Sequence, residues 1–222
     1  MKLNYYTILV GKEFFIKLRE ENKKMNKKTN YLGYFIVSRI LRFAGFVWFS
    51  EKVVGKENIP KNGRCILAGN HLSNFDAYLL FAGTKRPIHI LAKKELFDGK
   101  FGWFFKMMHL IPVDRKNKNP EAKKKAISIL EEEKVIGIFP EGTYHKDDLL
   151  LPFKPGVINF AEITSSPIIP FAIDGSFKFR SHPVIKFGKP IYLNEVQSED
   201  KVEYLENIIK DMIIQIKNKK NR

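Results

Sequence analysis

Cysteine is almost missing from this chain. Cys65 is the one thiol in 222 residues, which excludes an intrachain disulfide and a thiolate metal cluster. It lies in the apolar run RCILAG, so a buried strand thiol is expected. A clean apolar leader is missing as well: charges in LVGKEFFIKLREEN interrupt the first 20 residues, and with no cleavable secretory core the protein is expected inside the cell. Around no serine is there a G-x-S-x-G elbow. His71, His109, His145, Asp114 and Asp147 have spacings that match no metal motif such as H-E-x-x-H, so neither a metal nor a cofactor is expected. There is no internal repeat and no low-complexity linker.

Acidic residues are the next shortage. Twenty-four Asp and Glu stand against 39 Lys and Arg, a formal charge of +15, and the partners this favours are anionic: lipid headgroups, nucleotide-bearing cofactors, acidic carrier proteins or nucleic acid. Part of the excess sits in ENKKMNKK and KNKKNR, which read as solvated flanks. No helix-turn-helix, zinc-finger spacing or RNP-like strand is present, so nucleic acid is not the expected partner. With 44% hydrophobic residues, the chain suits one compact domain plus a short appendage.

No long apolar run is free of charge. Tyr31 to Ser50, YLGYFIVSRILRFAGFVWFS, has about the 20 residues that a bilayer core needs. Arg39 and Arg42 interrupt its centre, each costing roughly 2.5 to 3.5 kcal/mol at mid-bilayer. Three apart, they share one helical face, with Val37, Ile40, Leu41, Ala44, Val47 and Trp48 on the other side. That pattern describes a helix lying in the headgroup interface, its rings in the acyl boundary and its guanidinium groups on lipid phosphates; the alternative is a helix packed on the domain. Residues 1–50 are therefore expected to form a membrane-interface helical region and residues 51–222 the main domain. Met25 offers a shorter start, which would make residues 1–24 a dispensable extension. FDGKFGWFFKMM, residues 97–108, reads as a second apolar patch or as core.

Beyond residue 60 the chain alternates. RCILA (64–68), IHILAK (88–93), VIGIF (135–139), PIIPFAI (167–173) and PVIKFG (183–188) read as strands, most with apolar residues on consecutive positions as in buried strands. Helices are expected over 76–84, 120–134 and 156–164. A final one is capped by Ser198 and carries the stripe Val202, Leu205, Ile209, Met212, Ile213 and Ile216. This predicts an α/β fold, a mostly parallel mixed sheet flanked by helices on both faces, with the interfacial helical segment in front of it.

Ligands of such sheets gather outside the carboxyl ends of the strands. GNHLSNFDAY follows the first of these ends. On a continuous helix His71 and Asp76 would point about 140° apart. They meet if His71 is still in the loop and the helix begins at Ser73 or Asn74, with the Asp76 carboxylate folded back. Equally, Ser73-x-x-Asp76 reads as a capping box that only starts a helix. Three further loops carry chemistry. PEGTYH presents Glu141, Gly142 and Thr143; LIPVDR ends in Asp114 and Arg115, whose guanidinium suits a phosphate; PFKPG puts Lys154 just before a helix start, where cation and helix dipole both favour an anion.

In this order, NHLSNFD, IPVDR, FPEGT and PIIPFAI resemble the motifs of the lysophosphatidate acyltransferase family of glycerolipid acyltransferases. The resemblance covers roughly residues 50–190. It implies an acyltransferase that moves a fatty acyl group from an acyl thioester to the free hydroxyl of lysophosphatidic acid, giving phosphatidic acid. It implies His71 as general base and Asp76 as the group that fixes its tautomer, and it puts Arg115, Glu141, Gly142 and Thr143 at the acceptor's phosphate, with Lys154 as a further cation. Glu141 reads as a positioning group that holds Arg115 or a backbone turn. The expected partners are a lysophospholipid acceptor, coenzyme A or acyl carrier protein as acyl carrier, and an anionic membrane surface, at the cytoplasmic face of the cell membrane as a peripheral or monotopic protein. Members of the family commonly have Arg and a small hydroxyl residue after FPEGT, where this chain has Tyr144 and His145. That departure leaves glycerol 3-phosphate or another lysolipid as alternative acceptors, and a catalytically silent relative as a further alternative.

Overall fold

Runs such as CILAG and IIPFAI offer no polar face to water, so they fit only where both sides of a sheet are covered. In the computed structural model, which describes residues 31–114, 120–144 and 150–220, they form the centre of a seven-stranded sheet. Its strands are β1 (Lys52–Val54), β2 (Cys65–Gly69), β3 (Ile88–Lys93), β4 (Ile111–Val113), β5 (Val135–Ile138), β6 (Ile168–Asp174) and β7 (Val184–Phe187). They lie in the order β1-β7-β6-β2-β5-β3-β4. Every neighbouring pair is parallel except β6 and β7. Contacts divide the chain into Met1–Tyr31 and Leu32–Arg222, and all these strands belong to the second unit.

The helices of that unit are α1 (Leu32–Phe49), α2 (Asp76–Gly83), α3 (Glu95–Asp98), α4 (Gly102–Met107), α5 (Pro120–Glu131), α6 (Gly156–Thr164) and α7 (Lys201–Lys220). Strand alternation assigns them to faces. Ile66 and Ala68 of β2 and Ile136 and Ile138 of β5 share a core with the apolar stripes of α5, α6 and α7. Gly137 between them faces the other way, where its missing side chain lets Leu80 of α2 come close. Cys65 is fully buried in β2, as expected, and burial pushes its thiol up to about 11.

The expected strands and helices all form, within a few residues at their ends. β1 and β4 were not foreseen: three residues are too few to show a period. The stripe on α7 packs as expected, with Leu205, Ile209, Met212 and Ile216 buried. Its cap is Asp200, whose Oδ1 accepts the N–H groups of Val202 and Glu203 at 2.9 Å each. Ser198 instead donates its hydroxyl to the Asp200 carbonyl, since it lies two residues too early to reach the open amides of the first turn.

The helix expected over residues 31–50 forms as α1, with its expected apolar side left exposed and its expected basic side divided. Tyr34, Ser38, Gly45 and Phe49 are buried, while Ile40, Val47 and Trp48, expected to act as the apolar face, are exposed together with Phe43 and Phe46. Arg39 faces solvent and Arg42 is half-buried near Tyr78, so the two do not make one outward basic stripe. Close approach explains the choice of face. A Cβ at Gly45 would fall inside the Tyr78 ring, so only glycine lets α1 lie down on α2 here. Nearer the other end, the Tyr34 ring meets Phe81 edge-on, and its hydroxyl accepts the Ile88 N–H at 3.0 Å. By length and composition α1 is apolar enough to cross a membrane, and only 22% of it is buried.

Gly45→Ala is a sharp test of that contact, because helix propensity alone would stabilise the variant by about 1 kcal/mol. Overpacking against Tyr78 should instead destabilise it by about 1 to 3 kcal/mol, read as a lower thermal midpoint, and Tyr78→Ala in the same chain should restore the loss. A higher midpoint for the single variant would show that α1 does not rest on Tyr78.

Candidate active site

β2, β3, β5 and β6 run parallel, so their carboxyl ends open on one edge. The chain leaves β2 at Gly69 and is fixed at once. Buried Asn70 donates its side-chain amide to the Ile173 carbonyl at 2.9 Å and accepts the Ile173 N–H at 2.7 Å, locking the loop to the end of β6. His71 comes next, still in the loop. Its backbone N–H donates to Glu141 Oε1 at 2.7 Å, and its ring stacks on Phe139 with centroids 4.1 Å apart.

The ring's Nδ1 lies 2.8 Å from Asp76 Oδ2. Asp76 is fully buried, and the same oxygen accepts the N–H groups of Leu72 at 2.6 Å and Ser73 at 2.8 Å. The pairing and the cap are therefore one structure: the carboxylate makes the Ser73 half of a capping box and holds the imidazole with the same oxygen. The reciprocal half is absent, since Ser73 Oγ accepts from the Phe75 N–H. α2 accordingly begins at Asp76 itself, as expected for a helix over 76–84 and two to three residues after Ser73 and Asn74, following a turn closed by Asp76 N–H to the Ser73 carbonyl. A carboxylate only accepts, so the proton on this side of the ring belongs to Nδ1 and the Nε2 lone pair is left for a substrate.

Glu141, at the end of β5, is also buried. Its Oε1 takes the His71 N–H and its Oε2 the Leu151 N–H at 3.0 Å. A backbone turn is one of the two things it was expected to hold, and the other, Arg115, lies outside the described residues. After it Gly142 takes a φ of 73°, a left-handed conformation natural to glycine, and a Cβ there would come within 2.6 Å of Lys154 Nζ. Lys154 is tied down by its own N–H to the Pro140 carbonyl at 3.0 Å, just before α6 begins. The open amides of that helix and the Lys154 ammonium thus offer positive charge to one place.

These groups border a cavity of about 720 Å³, within the range of small-molecule sites. His71, Asn74, Lys93, Thr143, Tyr144 and Lys154 are its polar and charged members, while Leu91, Leu96, Phe105, Leu110 and Val113 give it a long apolar wall. Of the residues expected at the site, His71, Asp76, Glu141, Gly142, Thr143 and Lys154 are brought together; Arg115 lies outside the described residues, as do His145 and Asp147. Sequence reasoning passed over Lys93, whose signal was its place at the end of IHILAK on the same sheet edge, and Asn70, whose signal was its place at the strand end in GNHLSNFDAY. Tyr144 stands edge-on to the His71 ring, centroids 5.7 Å apart. Among the described residues no three His, Cys, Asp or Glu side chains converge as a metal-ligand set.

The chain is similar to known proteins. The 1-acyl-sn-glycerol-3-phosphate acyltransferase of Bacillus subtilis is 39% identical over 126 residues, 56% of this chain and 62% of that protein. The enzyme of the same name from Borreliella burgdorferi is 32% identical over 173 residues, 73% of this chain and 69% of that one. The chain thus spans somewhat over three fifths of these relatives' length. The crystal structure of the 1-acyl-sn-glycerophosphate acyltransferase PlsC from Thermotoga maritima superposes with a TM-score of 0.67 at 26% identity, over 82% of this chain and 80% of that one. The family model described as Acyltransferase matches residues 50–174, more than half of the sequence and all of the loops that frame the cavity up to α6 and β6; the chain belongs to the acyltransferase family.

Proposed function

We propose that the protein transfers a fatty acyl group from an acyl thioester to the free hydroxyl of lysophosphatidic acid, giving phosphatidic acid. The observation that carries this reading is the 2.8 Å contact between His71 Nδ1 and Asp76 Oδ2 beside an apolar cavity. An alcohol is a weak nucleophile at neutral pH, whereas a neutral imidazole with an ordinary value near 6.5 can accept its proton as the new bond forms. Nε2 of His71 takes that proton, the acceptor oxygen attacks the thioester carbonyl, and the tetrahedral intermediate collapses with cleavage of the carbon–sulfur bond. The proton then passes from the imidazolium to the departing thiolate. Asp76, held by two backbone amides, keeps the ring in the required tautomer and stabilises its positive form.

The apolar wall of the cavity suits a fatty chain. Lys154, Lys93, Thr143 and the start of α6 suit the acceptor's phosphate, with Arg115 joining them by its place in IPVDR. Glu141 positions the loops that carry His71 and Lys154. The donor thioester is carried by coenzyme A or by acyl carrier protein, both acidic and both favoured by the charge of +15. The exposed apolar side of α1 suits a peripheral or monotopic position on the cytoplasmic face of the membrane, where a lysolipid is presented. One observation favours a second acceptor: Tyr144 faces His71, in the place after FPEGT where the family resemblance implies an arginine, which suits a lysolipid with another headgroup.

Incubating the protein with radiolabelled acyl-coenzyme A, acyl carrier protein and lysophosphatidate in mixed micelles tests the reaction. His71→Ala should leave no measurable transfer in a chain that still folds, and Asp76→Asn should lower kcat by about 10³-fold or more. Full turnover in either variant would overturn the general-base assignment. Arg115→Ala should raise the acceptor's KM far more than the donor's, and an equal effect on both would remove it from the phosphate site. Glu141→Gln turns one amide donor toward a backbone N–H. It should lower stability by about 1 to 3 kcal/mol and reduce kcat with little change in either KM; a selective rise in acceptor KM would mean that Glu141 meets the substrate.

A further inference from the structure

We propose that the connection between β6 and β7, Gly175 to Pro183, is a lipid-docking element of its own, seating an anionic membrane surface beside the catalytic loop. The proposal rests on the membrane-facing part of the reading above and adds a second surface to α1. The connection is stapled to the end of that helix. The Arg180 N–H donates to the Trp48 carbonyl at 2.7 Å and the His182 N–H to the Phe49 carbonyl at 3.0 Å. Carbonyls that a helix end leaves without partners are thereby satisfied from another element. Arg180 and His182 are not glycines, yet both take a φ of 50°. Such conformations persist only where surrounding contacts impose them, and they cluster at functional segments.

What the forced turn achieves is exposure. Phe179 is 60% exposed and meets Trp48, itself 55% exposed, edge-on at 5.2 Å. Phe177 bridges inward to Phe49 at 5.5 Å and to Phe75 at 5.7 Å. Phe75 is 55% exposed and immediately precedes Asp76. An aromatic strip therefore runs from the end of α1 across the connection to the loop that holds His71. Charge decides what covers it. The stretch GSFKFRSHP contains no acid, Lys178 and Arg180 are exposed, and the Arg180 guanidinium lies 5.7 Å from the Phe179 ring centre. Aromatic rings alternating with cations match the boundary between acyl chains and anionic headgroups. A second copy of the chain would bring the same cations face to face, which disfavours it.

Sedimentation of the full chain with vesicles tests this, using roughly one part phosphatidylglycerol to two of phosphatidylcholine, beside pure phosphatidylcholine. Arg180→Glu should weaken binding to the anionic vesicles ~tenfold and leave the zwitterionic ones unaffected. Phe179→Ser should weaken both. Arg180→Gly, which tolerates the positive φ, should lose anionic binding at an unchanged thermal midpoint and so separates charge from folding. Transfer to a water-soluble short-chain lysophosphatidate should stay at the wild-type rate in all three variants. Wild-type partitioning of the Arg180 and Phe179 variants would overturn the proposal, as would an equal loss on the soluble acceptor. The vesicle result stands apart from the acyl-transfer reading, since it is obtained whether or not the wild-type protein turns over lysophosphatidate.

Discussion

A single carboxylate oxygen organises this molecule's chemistry. Asp76 Oδ2 gathers two backbone amides and one imidazole nitrogen in a place without solvent. It thereby fixes the path of the loop, the first residue of α2 and the tautomer of the ring together. Charge-assisted hydrogen bonds of this kind are roughly twice as strong as neutral ones, so the loop needs no regular structure of its own. Glu141 repeats the device one strand away, its two oxygens tying the His71 backbone to Leu151. With Asn70 clamped to Ile173, three buried polar side chains hold the edge of the sheet in register with itself.

That edge is rigid on one side and adaptable on the other. The polar groups of the cavity stand on strand ends and on the start of α6, where position is set by the sheet. The apolar wall comes largely from β3, β4, the segment just before β4 and the short helices between them, among them Leu96, Phe105 and Leu110. Two helices of four and six residues have few internal hydrogen bonds to resist change. On the function proposed above, chemistry and accommodation of the acyl chain fall to parts of different stiffness.

How much of this was legible in the sequence follows from how local each signal is. The buried strands declared themselves through consecutive apolar residues, and α7 through its stripe. His71 and Asp76 lie five apart, and their meeting needed only the assumption that the helix starts late. Glu141 and His71 are seventy positions apart, so the bond between them could not be read from spacing, only the presence of a carboxylate at a strand end. For α1 the sequence pattern pointed to the helix and to the apolar side that is left exposed, while the face it buries is chosen by Gly45 accepting the Tyr78 ring, a fit of shapes that spacing does not show. Asp200 displaced Ser198 for a simple reason of reach.

The reversal of β7 decides at which edge of the sheet α1 ends. β1 pairs parallel with β7, so it too runs against β2, and Lys52 at its beginning is level with Asp174 at the end of β6. α1 therefore delivers its last turn at the edge that carries His71. Had β7 continued the parallel order, its link from β6 would have needed a crossover of a dozen or more residues. α1 would then have arrived at the opposite rim, about five residues of strand or roughly 16 Å away. On the function proposed above, a lysolipid would then have had to leave its leaflet by most of a molecular length to reach His71. One antiparallel hairpin removes that climb.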